Sequence, residues 1–483
     1  MRTISTALIS LMFILNTFTG RSQVDVSSFT TTGSGYSTAA LTDYQTVGIN
    51  PANLGWKRND HSFNLGIGEI GFSIYSEPLK RTLVNDLFND DVYFSAEERE
   101  EAARNFTESE LIINGEGSGL GISFQDEKTG GFGFMIRENA FWSSNLNDQS
   151  AEFLFKGYNA SYFDSLAVNA NGDTVGYATE QLQLVSELFE GTRISLLWYR
   201  EYNLSYGRSI LNRENFTLFA GAGIKYLRGY GVFDYRYEDG ELKAYSSLNP
   251  VFDVDYDTYS PSRIEGDDYQ SVGDGFAFDL GLSMLIQKKL RIGMAVNNIG
   301  SITWDGNVYE GEDGLIENIE TNGIDNYDIF EEGQNIAVEN TNWGEWVGLE
   351  EKKVSLPGRF RTGAVYYLNQ NVEFGGDVIL SLSDKPGHYN KPVIGLGSRI
   401  YAVRWFRASA GVVTGGNFGI SIPVGLSFIP VRNQHFTWEL GLAINDITTY
   451  FQQENPTVSL ALGLMRFSFW DIRKMSKNIE TTD

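Results

Sequence analysis

The feature that most constrains the fold of this chain is a series of runs in which apolar residues recur at every second position. Phe63, Leu65 and Ile67 alternate with small or polar residues, and 276–284 repeats the pattern. Alternation at period two predicts β-strands with one apolar face. The alternation slips by one residue before Ile70, which predicts a β-bulge within the first strand.

Short turns join many of these runs into hairpins. The run 120–124 is followed by the turn 126–131 and the run 132–136, and both runs keep one apolar face. Closely spaced strands with tight turns are typical of a β-barrel or a β-sandwich. The other runs that predict strands are 290–296, 360–366, 393–402, 406–413, 420–428, 436–444 and 458–469.

Composition favours a membrane-spanning barrel over a soluble sandwich. Many runs reach about ten residues, the length that a tilted strand needs to cross a bilayer. Their non-apolar positions are mostly Gly, Ser, Asn and Thr, whereas charged residues concentrate between the runs. The chain has 52 glycines, 10 prolines and 14% aromatic residues. Few prolines suit long paired strands, because proline cannot donate to a strand ladder.

The N-terminus has the pattern of a secretory signal peptide. Arg2 supplies a positive start, 7–15 is largely apolar, and the small residues Gly20 and Ser22 predict cleavage before Gln23. The alternative is a membrane anchor, but the apolar core is short for one. Export without any cysteine means that the mature protein carries no disulfide.

Three longer insertions interrupt the strand series. The first, 79–114, contains Ser95 to Glu98, a capping-box match that predicts a short helix ending near Phe106. The other two are 235–274 and the strongly acidic 302–353. Long loops on one rim and short turns on the other are typical of outer-membrane barrels.

The net charge of −25 excludes nucleic acid as an expected partner. Two interpretations of the acidic loops remain open. They are a solvated surface, or they bind divalent cations that bridge to lipopolysaccharide phosphates. Two tryptophans in the third insertion, Trp343 and Trp346, are candidate contacts for a protein partner, because exposed aromatic residues often anchor interfaces.

Motifs for catalysis, cofactors or metals match poorly. Gly66-x-Gly68-x-x-Gly71 has the letters of a dinucleotide fingerprint, but it lies within a strand-like run and opens no helix. Strand glycines explain it better. We therefore assign no cofactor and no cofactor-binding residue.

The sequence also matches calcium-binding and catalytic motifs poorly. The run of alternate aspartates at 253–257 begins like a calcium loop, but the required Gly and the final Glu are missing. The histidines, His61, His388 and His435, are scattered along the chain. We expect no catalytic residue, no metal ligand and no enzymatic activity.

Two segments near the N-terminus carry a resemblance. The segment 36–43 reads Tyr-Ser-Thr-Ala-Ala-Leu-Thr-Asp, and 48–55 reads Gly-Ile-Asn-Pro-Ala-Asn-Leu-Gly. Together they resemble the N-terminal signature of the long-chain fatty-acid transporter (FadL-type) superfamily of outer-membrane barrels, in a little-characterised branch. Shorter matches lie at 221–229, 279–281 and 296–304.

This resemblance implies an all-β fold, a transmembrane antiparallel barrel of about 14 strands with an N-terminal hatch in its lumen and long extracellular loops. It divides the chain into a signal peptide (1–22), a hatch segment (23–56), a barrel (57–470) and a tail (471–483). The hatch candidates are Asn50, Pro51, Ala52, Asn53, Leu54 and Gly55. An alternative remains, in which these residues only shape the turn into the first strand, because Pro51 forces an extended Asn50.

Two functions follow. Members of the superfamily move apolar molecules or serve in protein secretion. The first hypothesis is therefore an outer-membrane barrel that binds or passes apolar small molecules such as fatty acids. The second is a surface or secretion-associated scaffold that presents its acidic loops to a protein partner.

Overall fold

We analysed a computed structural model of the chain. It describes residues 28–58, 61–76, 78, 93–170, 172–254, 256, 258–266, 268–324, 346–416, 420–433, 435–448, 451 and 457–470. The predicted signal peptide, Trp343 and the tail 471–483 lie outside these residues. Two of the alternate aspartates, Asp255 and Asp257, also lie outside them.

Fourteen antiparallel strands of the described chain form a closed barrel. Each strand pairs with the next along the chain, and the last pairs with the first from Thr457↔Tyr75 to Trp470↔His61, which closes the sheet. The strands are β1 (His61–Ser76), β2 (Glu110–Asp126), β3 (Gly130–Asn145), β4 (Arg193–Asn212), β5 (Phe216–Glu238), β6 (Gly273–Ile286), β7 (Leu290–Trp304), β8 (Arg359–Tyr367), β9 (Val372–Ser381), β10 (Val393–Val403), β11 (Phe406–Thr414), β12 (Val424–Arg432), β13 (Phe436–Ile444) and β14 (Thr457–Trp470).

The two ends of the barrel differ. At one end, turns such as 127–129 and 287–289 join consecutive strands, and we call this the short-turn end. At the other, the long-loop end, the described connections contain helices and short strands. These are Ala96–Phe106, Asp148–Lys156, Gly157–Asn159, Ser165–Val168, Thr174–Tyr177, Val185–Leu188, Glu241–Leu248, Pro250–Phe252, Val308–Gly311, Asn318–Ile319, Trp346–Gly348 and Lys352–Ser355.

The barrel is apolar outside and polar inside. Large apolar side chains such as Phe276, Phe278 and Leu280 are exposed on the outer face, whereas polar side chains such as Asn203 and Lys225 are buried within. A contiguous belt of exposed apolar side chains is unfavourable in water. This arrangement is typical of a barrel whose outer face contacts lipid. The fold is consistent with the outer membrane.

Several sequence predictions are confirmed. The hairpin of β2 and β3 forms around the predicted turn. Ser95 caps the N-terminus of the helix Ala96–Phe106, and both hydrogen bonds of the capping box with Glu98 are present. In β1 the predicted slip of the alternation is present at Gly68, which has a φ of +68° and pairs in neither neighbouring ladder, although its flanking residues do. The predicted β-bulge is wrong, because the register is the same on both sides of Gly68 and neither strand has an extra residue there.

Several predicted boundaries differ from the structure, two of them for clear reasons. The run 420–428 is a strand only from Val424, because Pro423 cannot donate to the ladder. The insertion expected at 235–274 begins later, since β5 continues to Glu238 and folds back as a hairpin through Asp239 and Gly240. Both residues have positive φ, as a two-residue hairpin turn requires. Among the described residues, no helix has the length and apolar character needed to cross a bilayer.

Candidate functional site

Residues 28–58 lie inside the barrel, and we call them the plug segment. It contains an α-helical turn (Phe29–Thr32) and two 3₁₀ helices, Tyr44–Thr46 and Pro51–Gly55. Almost all residues from 28 to 54 are buried. The described part of the predicted hatch therefore fills the lumen, while its movement as a hatch stays a prediction.

Inward-facing glycines of the wall make room for the plug segment. A β-carbon on Gly66 would lie 2.3 Å from the ring of Tyr44, and one on Gly463 would lie 2.4 Å from the ring of Phe29. Both separations are far below van der Waals contact, so a larger residue would displace the plug segment. The other strand glycines whose β-carbon would meet the plug segment within 3 Å are Gly121, Gly131, Gly133, Gly207, Gly221, Gly281, Gly293, Gly375, Gly395, Gly397, Gly411 and Gly441.

The Asn-Pro-Ala residues face β4 to β7. The Asn50 side chain accepts a hydrogen bond from the Ala52 amide (3.2 Å) and donates to the carbonyls of Thr38 (3.2 Å) and Leu282 (3.3 Å). Asn50 thus caps the helix that begins at Pro51 and joins it to β6. All the hatch candidates from Asn50 to Leu54 are buried, and Gly55 packs against the backbone of Arg208.

Asn53 also links the plug segment to the wall. Its amide donates to the Thr38 carbonyl at 2.9 Å, and its oxygen accepts from the Arg291 guanidinium at 2.7 Å. Arg291 also stacks over the ring of Trp56, with 4.4 Å between its Cζ and the ring centroid. These contacts fix the end of the plug segment against β7.

One carboxylate of β9 holds the start of the plug segment. Oδ2 of Asp377 accepts hydrogen bonds from the amides of Ser37 (2.6 Å) and Thr38 (2.8 Å) and from both hydroxyls (3.0 Å each). Four donors on one buried oxygen form a strong, directional anchor, because hydrogen bonds to a charged group exceed neutral ones in strength.

A second wall carboxylate, Glu69 of β1, binds the middle of the plug segment. It accepts from the Tyr44 hydroxyl and from the Gln45 amide, whose Nε2 lies 3.0 Å from both carboxylate oxygens. Burial, with the nearby charge of Glu69, raises the pKa of Tyr44 well above its ordinary value, so the phenol stays protonated and donates.

Glu373 of β9 is the third wall carboxylate that holds the plug segment. It pairs with Arg58 at 2.7 Å and with Arg399 of β10 at 3.3 Å. The Arg399 side chain also donates to Ser34 Oγ at 2.9 Å and stacks over the Tyr36 ring at 4.7 Å. Both ends of the plug segment are therefore tied to adjacent strands.

Ion pairs across Arg466 complete these attachments. Its guanidinium pairs with Asp43 of the plug segment and, at 3.0 Å, with Glu439 of β13. Glu439 in turn pairs with Arg407 of β11 at 2.8 Å. The plug segment thus joins β14 through a network that includes three strands.

The lumen differs on the two sides of the plug segment. Towards the long-loop end, Arg137, Glu201, Lys225 and Asp279 form a buried row of ion pairs with separations of 3.0 to 3.4 Å, beside a cavity of about 50 Å³. Towards the short-turn end lies an open cavity of about 1210 Å³, whose floor is the plug segment.

The family of the chain follows from a comparison with family models. The model of a family of unknown function (DUF5723) matches residues 51–438, most of the barrel. The chain belongs to the DUF5723 family. No curated protein sequence matches it.

The solved structures similar to this DUF5723 chain include transporters of other bacteria. The toluene transporter TbuX of Ralstonia pickettii is 11% identical over 91% of this chain and 97% of its own, with a TM-score of 0.44. The toluene transporter TodX of Pseudomonas putida is also 11% identical, over 93% and 100%, with a TM-score of 0.43. A Pseudomonas aeruginosa FadL homologue is 11% identical over 94% and 99%, with a TM-score of 0.42. These values describe a likeness of fold and leave the substrate open.

The loop residues around Trp346 of this DUF5723 chain pack together rather than extend into solvent. Trp346 is 6% exposed and its ring lies 5.1 Å from that of Tyr256, in a cluster with Phe233 and Tyr309. In this arrangement it is not an exposed anchor for a partner. Its predicted role in partner binding, like that of Trp343, stays a prediction.

Sequence reasoning missed the wall carboxylates Glu69, Glu373, Asp377 and Glu439. Each interrupts the small and neutral residues that otherwise occupy the inward positions of a strand. Isolated charges at inward strand positions were therefore a signal, because a buried charge needs a partner. The plug segment supplies the partners of Glu69 and Asp377 and one partner of Glu373, whereas Glu439 pairs with arginines of the wall. The partners lie hundreds of residues away along the chain for Glu373 and Asp377, so no local pattern reveals them.

Proposed function

We propose that the protein is an outer-membrane channel that binds small apolar molecules and passes them when the plug segment moves. The observation that carries this proposal is that residues 28–58 occupy the lumen and contact almost every strand, so passage requires their displacement. The asymmetry of the barrel supports an orientation with the long loops outside the cell and the short turns in the periplasm. We further propose that the signal peptide is removed between Ser22 and Gln23.

The contacts of the plug segment suit a part that moves. The wall presents glycines to it, so the interface interlocks few side chains, and many of the specific attachments are to the three carboxylates Asp377, Glu69 and Glu373. Packed interfaces switch between discrete arrangements, here held and released, rather than deform continuously.

Gly68 supports a lateral route for the passing molecule. It has no partner in the ladders to β2 and β14, and a β-carbon added to it would have nothing within 4 Å. The next residue, Glu69, holds Tyr44 and Gln45. Movement of the plug segment would therefore act on the wall where its pairing is interrupted. This route avoids the ionic row at Arg137, which an apolar molecule would cross only at a high desolvation cost.

The absence of cysteine from the sequence allows a direct test. A double variant, Gln45→Cys with Glu69→Cys, joined by a short thiol cross-linker, would lock the plug segment to β1. We expect locked protein in vesicles to lose uptake of apolar probes, from a monoaromatic hydrocarbon to a long-chain fatty acid. Cleavage of a reducible linker should restore uptake. The single variant Gln45→Cys, treated identically, controls for the chemistry, and equal uptake by locked and released protein would refute the proposal.

The substrate class is open to a second measurement. Organic extracts of the protein purified in mild detergent are compared by mass spectrometry with extracts of another barrel prepared in the same way. An apolar molecule enriched at close to one per chain supports the proposal and names the class. The absence of enrichment would argue against a bound apolar ligand.

A further inference from the structure

The cavity at the short-turn end has the opposite charge to the chain as a whole. Nine of its lining residues are Lys or Arg and three are Asp or Glu. The complete chain has 37 basic and 62 acidic residues and a net charge of −25. Basic residues are thus concentrated around one opening of an acidic protein, where their mutual repulsion disfavours the arrangement unless a negative charge offsets it.

The cations deep in the cavity are paired with carboxylates. Arg58 and Arg399 share Glu373, and Arg407 and Arg466 share Glu439. These pairs hold the plug segment and the wall together, as described above. With Asp43 on Arg466, the four arginines face three carboxylates, so they account for only one positive charge of the excess.

The excess lies at the rim. Lys288 and Lys289 are on the turn between β6 and β7, Arg404 is on the turn between β10 and β11, and Arg432 ends β12. All four are exposed, and within the described part of the chain no carboxylate lies within 4 Å of their cationic groups. Three separate hairpins therefore bring to one opening cations that pair with no carboxylate of the described residues.

Aromatic rings line the same cavity and hold its arginines in place. Arg58 stacks over the Tyr367 ring at 4.6 Å, and Arg407 stacks over the Tyr401 ring at 4.9 Å. A stacked guanidinium keeps its donor edge in a fixed direction, which lowers the entropy lost when an anion binds. The cavity is also large, at about 1210 Å³, so it accommodates an organic anion rather than a single ion.

We propose that this cavity is a binding site for an anion that carries two or more phosphate or carboxylate groups. Cations on three hairpins fit several negative groups better than one, because each group meets a separate cation. The proposal does not rest on passage of apolar molecules. The anion is a free periplasmic solute or the head group of an amphiphile, since both present the same chemistry to the rim.

Calorimetry on the full chain in an uncharged detergent tests the proposal, with tripolyphosphate and citrate as probes. We expect one probe bound per chain at about 50 mM salt and weaker binding as salt rises, because salt screens exposed charges. The variant Lys289→Gln/Arg404→Gln/Arg432→Gln should weaken binding by about tenfold or more. The matched control, Lys128→Gln/Arg208→Gln/Arg213→Gln, removes three exposed cations near the same end but outside the cavity and should change binding less than about twofold.

Two results would overturn the proposal. One is no binding of either probe by the unmodified protein at low salt, and the other is equal weakening by both triple variants. A second arm separates the sources of the anion. If phosphatidylglycerol in nanodiscs competes with tripolyphosphate and zwitterionic lipid does not, the site takes a lipid head group. If neither competes, it takes a free anion.

Discussion

Thr38 of the plug segment donates both its amide and its hydroxyl to one oxygen of Asp377, at 2.8 and 3.0 Å. Ser37 does the same at 2.6 and 3.0 Å. This carboxylate therefore satisfies two consecutive buried amides, which have no helix or ladder of their own. It is the most concentrated of the attachments between plug segment and wall.

Asp377→Ala should release the start of the plug segment while the barrel persists. Each buried amide left without an acceptor costs about 1–3 kcal/mol. We expect faster proteolysis between residues 28 and 58 and larger conductance in planar bilayers. Asp377→Asn keeps one acceptor oxygen and should have a smaller effect, whereas Glu214→Ala, on an exposed turn, should have none. Unchanged proteolysis of Asp377→Ala would show that the anchor is dispensable.

The glycines of the wall make a second prediction. Gly463→Val should expel Phe29, because even a β-carbon at this position would lie 2.4 Å from its ring. In detergent gels of unheated samples the barrel should still migrate as folded protein, while the plug segment becomes accessible to protease. Adding Phe29→Ala should restore protection in part, since it removes the clash. Gly117→Val, where a β-carbon would meet nothing within 4 Å, is the control.

If the double variant were no better protected than Gly463→Val alone, steric exclusion at Phe29 would not be the cause. The comparison of both single variants with the double variant measures the coupling between the two residues directly.

The tyrosines of the plug segment predict a response to alkaline pH. Burial raises the pKa of Tyr36 and Tyr44 above the ordinary value near 10. A group whose pKa is higher when folded stabilises the folded state below its unfolded pKa and loses that effect as pH rises. We therefore expect the plug segment to stay protected up to about pH 10 and to loosen above it.

Absorbance at 295 nm provides the measurement, because it follows phenol ionisation. Exposed tyrosines should titrate near pH 10, and the buried ones only with loss of protection. Tyr44→Phe should remove part of the late change and leave the early change intact. Simultaneous titration of all 25 tyrosines near their ordinary pKa would contradict the prediction.

Trp346 gives a prediction for the loops. Because its ring is buried among Phe233 and Tyr256, Trp346→Ala should destabilise the loop cluster by about 3–5 kcal/mol. Hydrogen exchange should accelerate in 241–256 and 308–311 but not in the barrel strands. Trp405→Ala, at an exposed turn at the other end, should leave exchange in the loops unchanged. An unchanged rate of hydrogen exchange in the loops of Trp346→Ala would mean that other contacts hold the cluster.

Much of the barrel could be predicted from the sequence, because period-two alternation and turn chemistry are local properties. β2, β3 and β13 show this, and even the irregularity at Gly68 left a visible slip in the alternation. The Asp239-Gly240 hairpin also had a local signal, the Asp-Gly pair, which the acidic loop context obscured.

The attachments of the plug segment could not be predicted in this way. Asp377 and Thr38 are separated by 339 residues, and their meeting depends on the closure of the whole sheet. The charge of the short-turn cavity was hidden for a related reason. Lys289, Arg404 and Arg432 are far from one another in the sequence. They meet at one opening only because antiparallel strands return alternate turns to the same rim.

The placement of Phe29 has a consequence for biogenesis. The plug segment is synthesised before every strand, yet Phe29 packs against glycines of β13 and β14, and Asp43 pairs with a residue 423 positions away. Its resting place does not exist until the last strand has joined the first. The plug segment can therefore reach its final position only late in assembly, and contacts of such long sequence separation form slowly. A chain truncated before β14 would reach the membrane without the contacts that hold its N-terminal segment. That segment would stay exposed to the machinery that acts on incomplete barrels.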